Sequence, residues 1–248
     1  MIAIILAAGS GRRLKTNKPK GMLNIYGKPL IQYSIDALQS AGIKQIIVAT
    51  GYGASYFHSY FSQIKSSVEF IHNPEFHNSG SLFTLYLVLK TLNKDEDLLI
   101  LDSDIIYNID EFIEYIKMPY KNAVMVTNVP DGRYDACYVD EDIYSNLSKI
   151  SKNMNQVKNQ VDDLWEHIGI TKVSYKLIPE LINYCEVKFK TSSGMKHEYD
   201  YAFENLNEKF KVVKYKDYIW SEADDNEQLN FMLTNVYPKL NLYYINEA

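Results

Sequence analysis

Apolar and polar residues follow two different rhythms along this chain. Short apolar runs recur in the first half: "IAIILA" (2–7), "KQIIVAT" (44–50), "SVEFIHN" (67–73) and "DLLILDSD" (97–104). Between them lie segments with apolar residues at helical spacing: "PLIQYSIDALQSAG" (29–42), "ASYFHSYFSQI" (54–64) and "SGSLFTLYLVLKTL" (79–92). Gly42 predicts the stop of the first helix, and a serine predicts the cap of the third. Strand and helix in alternation, with strands apolar throughout, predict a parallel sheet covered on both faces. Right-handed crossovers then put the strand C-termini along one edge, where ligands of such sheets sit.

Beyond about residue 120 the rhythm changes. "NAVMVTNV", "ACYVDED", "SNLSKI" and "EHIGITKVS" predict shorter strands of a mixed or antiparallel kind. "YKLIPELINYCEVKF" and "EYDYAFENLNEKF" read as helices, "KVVKYKDYIW" as a strand, and "DDNEQLNFMLTNVY" as a final helix that begins at acids. "KISKNMNQVKNQVDD" is polar and reads as a loop or lid. With no internal repeat and no Pro/Gly/Ser linker, the expectation is one α/β domain over residues 1–248. Its two parts are residues 1–120 and residues 121–248, the second of which builds a small cap and ends in the last helix.

Composition narrows the partners. The chain has 248 residues, 46% hydrophobic, and a net charge of -5. That charge gives no footprint for nucleic acid. Two cysteines, Cys137 and Cys185, offer neither a metal-type spacing nor a disulfide framework, so a reducing cytoplasm is expected. The apolar start ends at Gly9 with no basic segment before it, and reads as a buried strand rather than a signal peptide. No apolar stretch is long enough to span a membrane, so no membrane partner is expected.

Against this acidic background, "LAAGSGRRLKTNKPKG" (6–21) stands out. Gly9 and Gly11 fall where the first strand leaves the sheet, and glycine lets backbone N–H groups close around an anion. The same pair also fits a plain tight turn. Leu14 stands where a dinucleotide fingerprint needs its third glycine, and the ATPase P-loop pattern is absent. Arg13 and Lys20 suit neutralisation of three phosphates and a leaving pyrophosphate. Asp102 and Asp104 end a buried strand, two residues apart and so on one side of it. Such oxygen ligands suit Mg2+, although acids there also cap helices. Ser79, Gly80 and Ser81 open the third helix, where free N–H groups and hydroxyls are able to read a base or a ribose.

Taken together, "LAAGSGRRL…KPKGML" resembles the signature of nucleotidyltransferases that join a nucleoside triphosphate to a phosphorylated small molecule. Their fold is Rossmann-like, of the GT-A type: a mixed, mostly parallel sheet flanked by helices. "NSGSLFTLYL", "LDSDIIY", "HIGITKVS", "EYDYAFE" and "WSEADDNEQL" resemble the branch that uses CTP, closest to bacterial 2-aminoethylphosphonate cytidylyltransferases and then to choline-phosphate cytidylyltransferases. The likeness covers nearly the whole chain.

This resemblance implies nucleotide contacts at Leu6, Ala7, Ala8, Gly9, Gly11, Gly51, Ser79, Gly80, Ser81 and Asp102. It implies Mg2+ on Asp104 and Asp224, with Asp225 as an alternative helix cap and Glu222 as a weaker ligand. Lys20 and Arg13 take the catalytic role. The segment between them is shorter than in the branch, which leaves Lys18 as an alternative to Lys20. The acceptor's amine implies aromatic faces and carboxylates. The candidates are Tyr134, Asp135, Glu166, Tyr199 and Asp200; an aromatic matching Tyr134 and an acid matching Asp200 hold choline in the phosphocholine enzymes. Asp135 and Asp200 are preferred as buried acids in need of a partner. Trp165 and Trp220 read as packing residues, and none of the five histidines is assigned a role. The expected partners are CTP and a small phosphonate or phosphate acceptor. Rival readings are a hexose-1-phosphate nucleotidyltransferase, a GT-A glycosyltransferase, for which Asp102-Ser103-Asp104 serves as a DxD, and a non-catalytic nucleotide-binding module.

Overall fold

A computed structural model describes residues 1–64, 66–92, 95–129, 135–157, 164–191 and 193–244. In chain order its elements begin with β1 (Ile2–Ala7), a small hairpin of β2 (Asn24–Ile25) and β3 (Lys28–Pro29), α1 (Leu30–Ser40) and β4 (Gln45–Thr50). α2 (Ala54–Gln63), β5 (Glu69–His72), α3 (Ser81–Leu89), β6 (Leu98–Asp102), β7 (Ile105–Tyr107) and α4 (Ile109–Lys117) follow. Next come β8 (Ala123–Asn128), β9 (Tyr138–Glu141), β10 (Leu147–Ser151), β11 (Trp165–Val173) and α5 (Ile178–Lys188). The chain closes with β12 (Lys211–Lys214), β13 (Trp220–Glu222), α6 (Asn226–Phe231) and α7 (Tyr237–Tyr244). The class is α/β, a mixed sheet flanked by helices, as the alternation of periods predicts. No helix among the described residues is long and apolar enough to cross a membrane.

Two compact units divide the chain. The first gathers residues 2–77, 101–117 and those from Ile219 onward. Its strands follow the order β1-β4-β5, with β1–β4 and β4–β5 parallel and in register from Ile2↔Gln45 and Ile47↔Glu69. All six residues of β1 are buried, which accounts for a strand without polar alternation. A hydrophobic cluster packs Leu14, Leu23, Leu30, Ile106, Ala223 and Met232 together. Three of these sit beside residues of chemical interest: Leu14 follows Arg13, Ile106 lies two past Asp104, and Ala223 precedes Asp224. Burial of one leucine side chain stabilises by about 2 kcal/mol, enough to pin a loop at one point.

The second unit gathers residues 78–100 and 118–218. There β8 pairs antiparallel with β11 and parallel with β12, while β9 pairs antiparallel with both β10 and β11. This is the mixed pattern predicted for the second half.

Several local expectations need correction. "EYDYAFENLNEKF" holds only a 3-10 turn, Asp200–Asn205, and no α-helix. Tertiary contacts override its propensity: Glu204 accepts hydrogen bonds from Ile150 N at 2.9 Å and Lys149 Nζ at 2.8 Å. "KVVKYKDYIW" is two strands, separated by a turn in which Asp217 has φ of 56° and donates its N–H to Asn128 Oδ1 at 2.6 Å. β6 stops at Asp102, so Asp104 lies in a bend and the strand-alternation argument does not place it. Of the polar loop 149–163, residues 158–163 lie outside the described residues.

Candidate active site

In the first unit the chain leaves β1 through a loop whose glycines differ in purpose. A Cβ on Gly9 would meet no atom within 4 Å. Gly11 has φ of 56°, and a Cβ there would lie 2.7 Å from Lys20 Cγ. Glycine at 11 therefore serves both a left-handed turn and the passage of the lysine stem. Gly51 is also sterically required, since a Cβ would meet Ala8 O at 2.8 Å, and Tyr52 N donates to that same carbonyl at 3.1 Å. Leu6, Ala7 and Ala8 are buried in the strand and its exit.

The two acids meet through strand pairing. β7 and β13 are antiparallel, with Trp220 opposite Tyr107 and Glu222 opposite Ile105. One step further along the same register, Ala223 N donates to Asp104 O at 2.9 Å. Asp104, just before β7, thereby comes beside Asp224, just after β13. Asp224 N is held by Gln228 Oε1 at 2.8 Å. Asp225, the alternative, caps α6 by accepting from Glu227 N and Gln228 N, both at 2.9 Å.

Lys20 Nζ donates to Asp104 Oδ2 at 2.6 Å and also to Asp224 Oδ1. Arg13 holds the other oxygen of Asp224. Burial works against the charge on Lys20, but Asp104 first and Asp224 second outweigh it, and the ammonium titrates above its ordinary range. Arg13 stays largely exposed, with 60% of its side chain accessible. Lys18 is exposed, and its carbonyl accepts from Thr16 Oγ1 at 2.8 Å. Of the two lysines the sequence leaves open, Lys20 is the one brought to the acids.

The second unit holds the remaining candidates. Gly80, not a serine, is the N-cap of α3, and the Glu198 carboxylate accepts from Ser81 N at 3.4 Å. The free N–H groups expected there are in use: Gly80 N donates to Met195 O at 2.7 Å and Leu82 N to His197 O at 3.1 Å. Ser81 Oγ donates to Glu198 and accepts from Tyr199 N at 2.9 Å. A Cβ on Gly80 would lie 2.3 Å from His197 O, so this close approach requires glycine. Segment 195–199 thus covers the helix start, and Ser81 ties down the residues that lead to Asp200.

Asp200 is buried, and its Oδ1 lies 3.3 Å from His167 Nδ1. Cys137 Sγ points at its Oδ2 from 3.9 Å. Cys137 and His167 are cross-strand neighbours, since Glu166 pairs Tyr138 and His167 N donates to Cys137 O at 2.8 Å. Sequence reasoning passed over His167. The available signal is Gly169 inside a strand-like run, which marks a bulge. Gly169 has φ of 78°, and the β11–β8 register shifts between His167 and Thr171. The bulge brings His167 Nε2 to 2.9 Å from Thr171 Oγ1 and 3.3 Å from Ile170 O.

The other acceptor candidates fare differently. Glu166 and Tyr199 are buried, and the Tyr199 ring meets His167 edge-on at 6.4 Å. Asp135 is exposed, against the expectation of a buried acid, because it lies before the strand residues that enter the unit's core. Tyr134 lies outside the described residues. Trp220 is buried as expected, whereas Trp165 is half-buried, with Lys214 Nζ 4.6 Å from its ring centre.

Known proteins share the fold of this chain. The solved inositol-1-phosphate CTP transferase of T. maritima superposes with a TM-score of 0.77 at 16% identity, over 96% of this chain and 95% of that one. The Streptococcus pneumoniae CTP:phosphocholine cytidylyltransferase does so at 0.75 and 20% identity, over 94% and 97%. These likenesses establish the fold. In sequence, the CTP:phosphoglutamine cytidylyltransferase of Campylobacter jejuni is 29% identical over 199 residues, 75% of this chain and 78% of that protein. The choline-phosphate cytidylyltransferase of Streptococcus pneumoniae is 39% identical over 95 residues, 37% of this chain and 41% of that protein. Residues 3–164 match the MobA-like NTP transferase domain, well over half of the chain, and the protein belongs to that family of nucleotidyltransferases.

Proposed function

We propose that this protein is a cytidylyltransferase that joins CTP to a small amine-bearing phosphonate or phosphate and releases pyrophosphate. The acceptor this reading favours, from the resemblance of the sequence motifs, is 2-aminoethylphosphonate. The observation that carries the reading is Lys20 held between Asp104 and Asp224, with Arg13 on the outer oxygen of Asp224, at the exit of β1. The preference for cytosine rests on the two cytidylyltransferase relatives.

The donor set fits Mg2+. Two carboxylates on separate segments converge on one positive charge, and the Lys20 ammonium stands in for the cation. Such hard oxygen ligands, few in number, suit an ion that also takes phosphate oxygens. When bound, Mg2+ supplies charge neutralisation and alignment of the triphosphate. Lys20, once released from its acids, turns to the α-phosphate, and Arg13 to the leaving pyrophosphate. The acceptor's phosphorus oxygen attacks the α-phosphorus in line, and the bond to the β,γ-diphosphate breaks. A phosphate monoester has its second pKa near 6, so the nucleophile is already ionised at neutral pH and needs no general base. Catalysis is then positioning and electrostatics. A cytoplasmic setting belongs to this reading, since the two cysteines of the sequence offer no disulfide framework.

Pyrophosphate release tests the reading. CTP is combined in turn with 2-aminoethylphosphonate, ethanolamine phosphate, choline phosphate, glycerol phosphate and glucose 1-phosphate. Release with the amine-bearing acceptors is expected. Release with glucose 1-phosphate alone would support a hexose-1-phosphate nucleotidyltransferase instead. Choline phosphate is the second reading, favoured by the Streptococcus pneumoniae relative.

A further inference from the structure

We infer that Gly53, in the turn that follows β4, is a positioning residue for Lys20 and acts through Pro19. It does so within the cytidylyltransferase reading above, in which the Lys20 ammonium turns to the α-phosphate. Lys20 stands at the end of a loop that is largely exposed, with Arg12, Arg13, Lys15, Asn17 and Lys18 all open to solvent. Pro19, next to the lysine, is buried. What lies against it is Gly53: a Cβ added there would sit 2.7 Å from Pro19 Cγ and 2.8 Å from Pro19 Cδ. The same turn holds the loop elsewhere. Tyr52 N donates to Ala8 O at 3.1 Å, where the loop begins, and Tyr52 Oη to Asn17 O at 3.5 Å. On the other flank of the lysine, a Cβ on Gly21 would lie 3.1 Å from Ser103 O. Ser103 stands between Asp102 and Asp104. Lys20 thus has one neighbour set against the turn after β4 and the other against the segment that carries Asp104.

Proline makes the first contact stiff. Its ring closes on its own backbone nitrogen and cannot rotate away as a longer side chain would. A side chain at residue 53 therefore moves the backbone of Pro19, and with it the origin of the Lys20 stem. The stem has little slack, because Gly11 lies against it, with an added Cβ 2.7 Å from Lys20 Cγ. A shift of about 1 Å in a group that must meet reacting atoms costs up to about 100-fold in rate. Gly53 has a second reason to be glycine. Its φ is 61°, in the left-handed region, at the N-cap of α2. That reason concerns folding alone, and a control separates the two.

Gly42 is the control. Its φ is also positive, 78°, and a Cβ there would meet no atom within 4 Å. Gly42→Ala and Gly53→Ala both force a side chain into left-handed backbone, but only the second strikes Pro19. Pyrophosphate release with CTP and the acceptors named above gives kcat and KM, and melting temperatures are taken alongside. Gly53→Ala is expected to lower kcat roughly tenfold or more, with the KM for CTP changed less than about threefold. Gly42→Ala lowers the melting temperature and keeps kcat. Pro19→Ala added to Gly53→Ala removes the ring carbons in the way and restores much of the lost kcat. If Gly53→Ala does not fold, Gly53→Asn brings the same Cβ on a residue that tolerates the left-handed region, and the same loss and relief are expected. An unchanged kcat, or a loss that Pro19→Ala leaves in place, overturns the inference while wild-type release keeps the cytidylyltransferase reading. So does a loss seen only as a higher KM. No release from wild type with any of the acceptors removes that reading as well.

Discussion

Two lysines, one in each compact unit, meet opposite fates. Lys20 in the first unit lies half-buried between Asp104 and Asp224, which together outweigh the burial and raise its pKa above the ordinary lysine range. Lys172 in the second unit is buried; its amine donates to the Met118 carbonyl at 2.8 Å and has Lys121 near it. Burial, helped by Lys121 and opposed by Asp97, pushes Lys172 down to about 8. Burial alone is thus not informative; the partner decides whether a buried cation is a tool or a liability. The same contrast extends to the acids. Asp104 and Asp224 are satisfied from within by cations. Asp200 has one oxygen without a hydrogen bond among the described residues.

Breaking the first cluster should have the largest effect. Asp104→Ala is expected to lower turnover on the order of 100-fold or more with the melting temperature nearly kept, as loss of an electrostatic element of a phosphoryl-transfer site does. Wild-type pyrophosphate release from the purified variant would sink the assignment. Lys20→Met should lose activity comparably, and it tests whether the lysine competes with the ion. With no ammonium between the acids, Mn2+ binding in the absence of nucleotide should tighten roughly tenfold or more, read by electron paramagnetic resonance. Equal Mn2+ affinity in both proteins would show that the lysine does not compete with the ion.

The second lysine gives a smaller, pH-dependent effect. Its folded value of about 8 lies below the 10.5 of an unperturbed lysine, so between those pH values the unfolded chain binds more protons. Its contribution therefore opposes folding below pH 8 and is relieved as pH rises toward 10.5. Urea titrations of wild type and Lys172→Met should show a stability difference that moves in favour of wild type over that window. A difference independent of pH would contradict the lowered value. Smallest of all, Asp225→Ala removes the α6 cap and should cost about 1 kcal/mol of stability with the KM for both substrates unchanged. A large rise in the CTP KM would instead move the metal role from Asp224 to Asp225.

Much of the fold was legible because its signals are local. The apolar runs at 2–7, 45–50 and 98–102 are strands, the periodic segments are helices, and Asp225 caps α6. Where reading failed, a distant partner had intervened. Glu204 is drawn to β10 and its segment tightens into a 3-10 turn; segment 195–199 takes the N–H groups of α3 that looked free. The site was legible in part. Arg13, Lys20, Asp104 and Asp224 stand out by residue type and resemblance, yet the pair formed by residues 104 and 224 depends on a two-strand ladder with no signature of its own.

By itself, then, the sequence determined the α/β class, the glycine-and-cation loop after β1 and the inventory of acids, because periodicity and residue chemistry act within a few positions. Tertiary structure alone decided which acids meet which cations. The β7–β13 register sets Asp104 beside Asp224, and the bulge at Gly169 turns His167 toward Asp200. Both depend on strand register, which is fixed by packing over the whole sheet and not by any one residue.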